Sequence, residues 1–424
     1  MLDLKYIREN LAEVKENCHY RLANVNLDRL VDLDEQRRVL QQELDEQRAK
    51  RNIWSKQKPT PEQLTEIKAN NELIKQGEER LAVIIAELDV LLLAVPNCTD
   101  SAVARSLNED DNPVMEECGQ PTKFAFSPKD HLALAEQWNW LDLERAAKVT
   151  GAKFYYTTND LVWLELALIQ YALATIAKHG FQVMMTPDLA KTSIIERLGF
   201  NPRGESTQVY NLEGQDLSLI GTAEITLGGY HQGEVLSDDQ LPLHYAGLSQ
   251  CFRTEAGSYS KFAKGLFRVH QFNKVEMFIY CRPEDSVKEH QVLLAIEKEI
   301  FSGLEIPFRV IDHCTADLGT PSARTFDLEA WLPGKPNKEN QLGDWAEMTS
   351  SSNCTDYQAR GLDIKYQAAD GQKALVHTLN GTGIATSRAM IALVENHQQA
   401  DGRIKLPSAL QSFVPVELSS MFFA

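Results

Sequence analysis

Cys251-Phe252-Arg253-Thr254-Glu255-Ala256-Gly257, followed by Leu266-Phe267-Arg268-Val269-His270-Gln271-Phe272-Asn273-Lys274-Val275-Glu276-Met277, reads as two strands joined by a polar loop. Side chains of a strand alternate between its two faces. In the second segment Phe267, Val269, Val275, Met277 and Ile279 share the apolar face, and Arg268, His270, Phe272, Lys274 and Glu276 share the other. Arg253 and Glu255 share one face of the first. Guanidinium groups, carboxylates and an aromatic ring on one sheet surface suit a ligand that carries phosphates, a purine and an ammonium group. A solvated hairpin face is the plain alternative. It leaves unexplained why Arg, Phe and Glu alternate with a clean apolar row.

Working outward, 424 residues allow a large core and two domains. The net charge of −17 argues against a protein that coats nucleic acid nonspecifically, while leaving room for a local basic surface. No apolar run reaches the roughly 20 residues needed to span a bilayer. The opening Met1-Leu2-Asp3-Leu4-Lys5 has neither a signal nor a transit pattern. No membrane association and a cytoplasmic location are therefore expected. Seven cysteines without a C-x-x-C pair predict buried thiols, with no zinc site or disulfide framework.

Leu30, Leu33, Arg37, Leu40, Leu44, Gln47 and Arg51 recur at alternating spacings of three and four. So do Leu64, Ile67, Asn71, Ile74, Glu78, Leu81, Ile85, Leu88, Leu92 and Val95. Each series is a heptad seam. Between them Pro59 stops one helix, and Thr60-Pro61 can cap and begin the next. So short a link makes the helices antiparallel, with Leu44 expected near Ile74, Leu33 near Ile85 and a polar layer at Gln47/Asn71. Near the tip Arg48, Lys50, Arg51, Lys56 and Lys58 cluster around Trp54. They read either as a solvated coiled-coil face or as contacts for RNA phosphates.

Prolines 96, 113, 121 and 128 mark an irregular connection. Beyond it, Leu161, Leu164, Leu168 and Tyr171 form a helical stripe ended near Gly180, and Phe181–Met185 reads as a strand before Pro187. In Leu219-Ile220-Gly221-Thr222-Ala223-Glu224, strand parity would bring a hydroxyl and a carboxylate onto one ammonium group. A helix start with Thr222 as cap is the alternative. Glu347-Met348-Thr349-Ser350-Ser351-Ser352-Asn353 offers oxygen ligands, but Glu347 and Ser350 have opposite strand parity, so a bulge is needed before both can meet one ion. In Asn380-Gly381-Thr382-Gly383-Ile384-Ala385-Thr386-Ser387-Arg388 the glycines permit close backbone approach where a strand meets a helix.

The run F-R-x-E-A-G-S, a loop, then R-V-H-Q-F-x-K-V-E-M resembles motif 2 of class II aminoacyl-tRNA synthetases, and specifically that of the seryl-tRNA synthetases. Residues 161–187 are similar to motif 1, which builds the dimer interface of that class, and 380–388 to motif 3. Thr222-Ala223-Glu224 resembles the family's serine-binding element, and 347–353 its metal-binding strand. The resemblance covers nearly the whole chain. It implies an α+β fold, a class II antiparallel sheet flanked by helices, with an N-terminal antiparallel two-helix coiled-coil arm. Residues 1–112 would form the tRNA-binding domain, with the arm at about 27–95, and 113–424 the catalytic domain.

The implied activity is that of a serine–tRNA ligase, a homodimer that makes seryl-adenylate from L-serine and ATP and charges tRNA(Ser), with tRNA(Sec) as a further candidate. Arg253 and Arg388 are the implied catalytic residues. ATP would be held by Arg253, Thr254, Glu255, Arg268, Phe272, Glu347, Met348, Thr349, Ser350 and Arg388. Serine would be held by Thr222, Ala223, Glu224, Arg253, Glu276, Asn380 and Thr382. Glu347 and Ser350 would hold Mg²⁺, and Arg48, Lys50, Arg51, Lys56 and Lys58 would meet the tRNA.

Four features depart from the family or fall outside its pattern. The motif 2 loop reads Lys261-Phe262-Ala263-Lys264-Gly265. The stretch from Pro333 to Glu347 is longer than usual. Trp345-Ala346 stands where Tyr-Arg is expected. The tail from Glu417 to Ala424 has no assigned place. A ligase that loads a carrier protein would lack the arm. A paralogue that binds RNA without activating serine would be expected to lose Arg253, Arg268 or Arg388, and all three are present.

Overall fold

The computed structural model describes every residue except 55–59, 201–206, 257–262, 416–418, 420, 421 and 424, and it divides the chain into units Met1–Cys98 and Thr99–Ala424. In the first unit, helices α1 (Leu27–Trp54) and α2 (Pro61–Leu93) are about 40–50 Å long at about 1.5 Å per residue. The start of α2 is locked by a reciprocal cap. Thr60 Oγ1 accepts from Gln63 N at 3.3 Å, and Gln63 Oε1 accepts from Thr60 N at 2.9 Å, with Pro61 in the first turn. Arg29 meets Glu87 and Arg48 meets Glu78, each at 2.8 Å, so the helices run antiparallel.

Leu40, Leu44, Ile74 and Leu81 form the buried cluster between them. The seam of α1 is as expected, but that of α2 is displaced by one residue at three places. Asn70 rather than Asn71 is buried, and it donates to Gln47 O at 3.1 Å. Gly77 rather than Glu78 faces Leu44, where a Cβ would lie 2.6 Å from Cδ2. Ile84 rather than Ile85 packs on the cluster, and Leu64 is exposed. Both phases share Ile74, Leu81 and Leu88. Beyond the first turn at Leu64, they differ only where the sequence reads Asn-Asn, Gly-Glu and Ile-Ile, so hydrophobicity hardly distinguishes them there. Packing chooses the phase that lets Leu44 enter over a glycine.

The second unit is built on an eight-stranded sheet. In chain order its strands are β1 (Val114–Cys118), β2 (Gln182–Met185), β3 (Leu243–Phe252), β4 (Gln271–Cys281), β5 (Phe308–Asp312), β6 (Arg324–Pro336), β7 (Leu342–Asn353) and β8 (His377–Ala385). The spatial order is β1-β5-β6-β7-β8-β4-β3-β2, antiparallel except for the β2/β3 pair. Parity along β4 separates two cores. Val275, Met277 and Ile279 join Leu164, Leu168, Ile176, Leu293, Ile300 and Met390, which come from α3 (Asp160–Lys178), α5 (Ser286–Gly303) and α7 (Thr386–His397). Phe278 and Tyr280 point to a smaller cluster that includes Ile225 of α4 (Glu224–Gly228) and Leu362 of α6 (Tyr357–Leu362). Among the described residues α3 is the one helix whose length and composition would suit a membrane crossing. Here its Leu164, Leu168, Ala172 and Ile176 are buried in the core.

The deciding stretch differs from its expected form. The hairpin strands end at Phe252 and begin at Gln271, so Arg253, Glu255 and Arg268 lie beyond the ladder. One further bond, Arg253 N to His270 O at 3.0 Å, extends the pairing. Leu266, Phe267 and Val269 are buried, but in a turn in which Phe267 N bonds Lys264 O at 3.2 Å and Gly265 has φ +57°. A Cβ on Gly265 would strike His131. The tail is partly docked, with Phe422 pairing with Ile404 and its ring centroid 6.1 Å from that of Trp140.

Candidate active site

Motif 2 leaves the sheet at the mouth of two adjoining cavities. Arg253, Glu255 and Arg268 line both. The first cavity continues to Phe272, Thr382, Glu347 and Arg388, the second to Gly221 and Thr222. Arg253 donates from Nε to Gly221 O at 3.3 Å, and its guanidinium stands 5.4 Å from the Phe272 ring centroid. Arg268 Nη1 lies 3.2 Å from Glu255 Oε2, while its Nε is buried with no acceptor among the described residues. Glu255 adopts φ 52°, a left-handed conformation costly for a residue with a side chain. Thr254 anchors the segment by donating from Oγ1 to Thr207 O.

The bulge required by the spacing of Glu347 and Ser350 is present. Leu328 pairs with Thr349 but Glu329 pairs with Glu347, so Met348 is the extra residue. Met348 and Thr349 bound the cavity with buried side chains, and Thr349 Oγ1 donates to buried Glu297 Oε2 at 2.9 Å. Arg388 lies 3.0 Å from Glu347 Oε1, donates to Glu347 O at 2.9 Å and stacks 4.8 Å from the Phe267 ring centroid. Desolvation raises the Glu347 carboxyl although its side chain is 48% exposed, but Arg388, Arg253 and His313 hold it below the usual range. Ser350 sits opposite Asp327 on β6, and Asp327 meets His313 Nε2 at 2.9 Å.

At the other end, Thr222-Ala223-Glu224 is a helix start and not a strand. Thr222 Oγ1 accepts from Glu224 N at 3.2 Å, and α4 begins at Glu224 with Ala223 at the cap position. The strand-parity expectation is corrected, because the chain turns at Gly221 to place α4 over β4. Convergence is reached in another way. Thr222 Oγ1 donates to Glu276 Oε2 at 3.1 Å. Glu224 Oε1 accepts from Asn380 Nδ2 at 3.0 Å and from Gln358 Nε2 at 2.8 Å. Thr382 pairs with Glu276 across β8/β4. Burial, reinforced by Glu276, pushes the Glu224 carboxyl up to about 7, against the opposing pull of Gln358, Lys274 and Arg253.

Thus Arg253, Glu255, Arg268, Phe272, Thr382, Glu347 and Arg388 line one cavity, Thr254 and Ser350 are chain neighbours of lining residues outside it, and Thr222 bonds Glu276 while Asn380 bonds Glu224. Of the basic tip, Arg48 is engaged with Glu78, Lys50 and Arg51 are exposed, and Lys56 and Lys58 lie outside the described residues. Lys274, on the expected chemical face but without an assigned role, lines the first cavity and is paired with Glu276. Gln358 and Glu297 come from helices whose sequences carry no recognisable signal for the site.

The family model of the tRNA synthetase class II core domain (G, H, P, S and T) matches residues 208–397, and that of the seryl-tRNA synthetase N-terminal domain matches residues 1–99. Over 417 residues the chain is 49% identical to a serine--tRNA ligase of Treponema denticola, covering 97% of this chain and 98% of that protein. It is 46% identical over 425 residues to a serine--tRNA ligase of Dictyoglomus turgidum, covering 98% of each. Among solved structures, seryl-tRNA synthetase from Pyrococcus horikoshii complexed with ATP is similar with a TM-score of 0.84 and 36% identity, over 97% of this chain and 98% of that one.

Proposed function

This chain belongs to the seryl-tRNA synthetase family of class II aminoacyl-tRNA synthetases, and on that premise we propose that it joins L-serine to tRNA(Ser) in two steps. A serine carboxylate oxygen attacks the α-phosphorus of ATP, and pyrophosphate leaves. A terminal hydroxyl of the tRNA then attacks the seryl carbonyl, and AMP leaves. The carboxylate is already ionised at neutral pH, so the first step needs no protein general base. What the protein supplies is position and compensation of phosphate charge.

Arg253 serves both cavities. It takes the α-phosphate and brings the serine carboxylate to it. Glu255 and Phe272 receive the adenine, which requires Glu255 to exchange its Arg268 contact for the base. Arg268 and Arg388 hold the outer phosphates. Thr222, Glu224, Glu276, Asn380 and Thr382 bind the ammonium and hydroxyl of serine, and a site that pairs with a hydroxyl rejects alanine by leaving its own polar groups unpaired. The carboxylate of Glu347 and the hydroxyl of Ser350, brought to one strand face by the bulge at Met348, are hard oxygen donors that fit Mg²⁺. When bound, the ion would neutralise phosphate charge.

The observation that carries this reading is that Arg253, Glu255 and Arg268 line both of two adjoining cavities, one continuing to Arg388 and Glu347 and the other to Thr222. Serine-dependent ATP–pyrophosphate exchange by the purified protein tests it. Exchange with no dependence on serine overturns it.

The assignment of 1–112 to tRNA binding and 113–424 to catalysis belongs to the same proposal, as does a cytoplasmic location. A homodimer is supported by the exposed apolar side chains of Trp163, Leu166, Val183 and Met185 on α3 and the edge strand β2. Sedimentation of Met185→Lys against the unaltered protein tests it. The proposal extends to tRNA(Sec), because A-form RNA is read mainly by shape, and direct charging of that RNA is the test.

A further inference from the structure

We propose that Lys274 is a positioning residue for the amino acid, an internal counter-ion that sets the charge of the serine end and holds Glu276 by one carboxylate oxygen. The inference rests on the serine reading above. Lys274 and Glu276 are two residues apart on β4 and so face the same way. Both are almost fully buried, at 6% and 1% exposure, and they form an ion pair through Lys274 Nζ and Glu276 Oε2. Thr222 Oγ1 donates to the same Oε2. Both described contacts of Glu276 therefore use one oxygen, which leaves Oε1 as the acceptor for a ligand hydroxyl. Glu224, the second acid, is held at Oε1 by Asn380 and Gln358.

Charge balance gives the pair its purpose. Ionised Glu224 and Glu276 with no cation between them would be a costly buried arrangement. One lysine reduces the two negative charges to one, which a single substrate ammonium completes. Glu276, already paired, is then left to accept the hydroxyl, and Glu224 to meet the ammonium. The groups facing Glu224 are Glu276, Lys274, Arg253, Gln358, Asn380 and the Cys354 thiol. Burial and Glu276 push Glu224 up to about 7, and Lys274 opposes them. Serine KM should accordingly fall as pH rises through about 7. Removal of Lys274 should move that limb to higher pH.

The test is serine-dependent pyrophosphate exchange with full-length protein. Absence of serine-dependent exchange in the unaltered protein sinks the serine reading itself. Granted that activity, Lys274→Met is expected to raise serine KM about tenfold or more, leave ATP KM within about twofold, and shift the pH limb upward. Lys274→Arg, which keeps the charge, is expected to keep the limb in place. If Lys274→Met does not fold, Lys274→Met/Glu276→Gln replaces the ion pair by neutral groups of similar size. Well above the limb, where Glu224 is ionised in both, its serine KM should match that of Glu276→Gln alone, because there Lys274 acts through Glu276. Equal changes in both KM values, an unmoved limb, or additive effects in the double variant overturn the inference.

Discussion

The arm and the catalytic body use the same ionic side chains in opposite settings. In the arm Arg29–Glu87 joins two helices with its side chains 40% and 45% exposed, and Arg48–Glu78 does likewise. In the body Lys274–Glu276 is 7% and 2% exposed. A charge in water is screened, and holding two long side chains together there gains little. A buried charge is expensive unless partnered, so its presence calls for a reason. The arm therefore derives its cohesion from the seam of Leu40, Leu44, Ile74 and Leu81, with its charges left in water. The body buries its charges at the site where the proposed serine would complete them. Asp34 and Arg21 are buried charges in the first unit, the one held by Arg37 and Arg8, the other donating to Asn97 O.

The largest expected effect separates the two regions outright. Deleting residues 30–95 should abolish tRNA charging and leave pyrophosphate exchange nearly intact. Charging that survives the deletion would remove the arm from tRNA recognition. Next comes Arg253→Ala, for which loss of a contact to transferring charge is expected to slow exchange by roughly 10²–10³ with an unchanged melting temperature. An equal loss of folding would make Arg253 a structural residue. Leu44→Ala should destabilise the arm by about 2–5 kcal/mol, seen as faster hydrogen exchange in 27–93 with exchange kinetics of the body unaffected. Gly77→Leu should produce a similar loosening by overpacking, about 1–3 kcal/mol. If it is silent, the phase assigned to α2 is wrong. The smallest effect belongs to Arg29→Ala, expected to leave melting and pyrophosphate exchange unchanged at about 0.3 M salt. A clear loss there would contradict the view that surface pairs contribute little to the arm.

The body's chemistry was legible where residue identity alone restricts it. Arg253, Glu255, Arg268 and Phe272 stand at one cavity as their spacing suggested, although the strand argument used to group them applies only from Gln271 onward. The turn at Gly265 and the left-handed Glu255 bring them round instead. The alternation at Thr222 and Glu224 grouped two side chains that do meet one cluster, on Glu276 and Asn380, but for the wrong reason. A helix start, with Thr222 Oγ1 accepting from Glu224 N, and not a pleat, turns both inward. Gln358, Glu297 and Lys274 could not be assigned roles, because each acquires one only from a partner distant in sequence or from burial.

Periodicity and residue chemistry, which are properties of neighbours in the chain, were enough for two antiparallel helices and a hairpin bearing guanidinium and carboxylate groups, while the larger antiparallel sheet was implied by the family resemblance. The phase of α2, the end of the motif 2 strands and the pairing of Lys274 with Glu276 were decided only on packing. Steric fit at Gly77 and the low dielectric around β4 exist only when segments far apart in sequence are brought together.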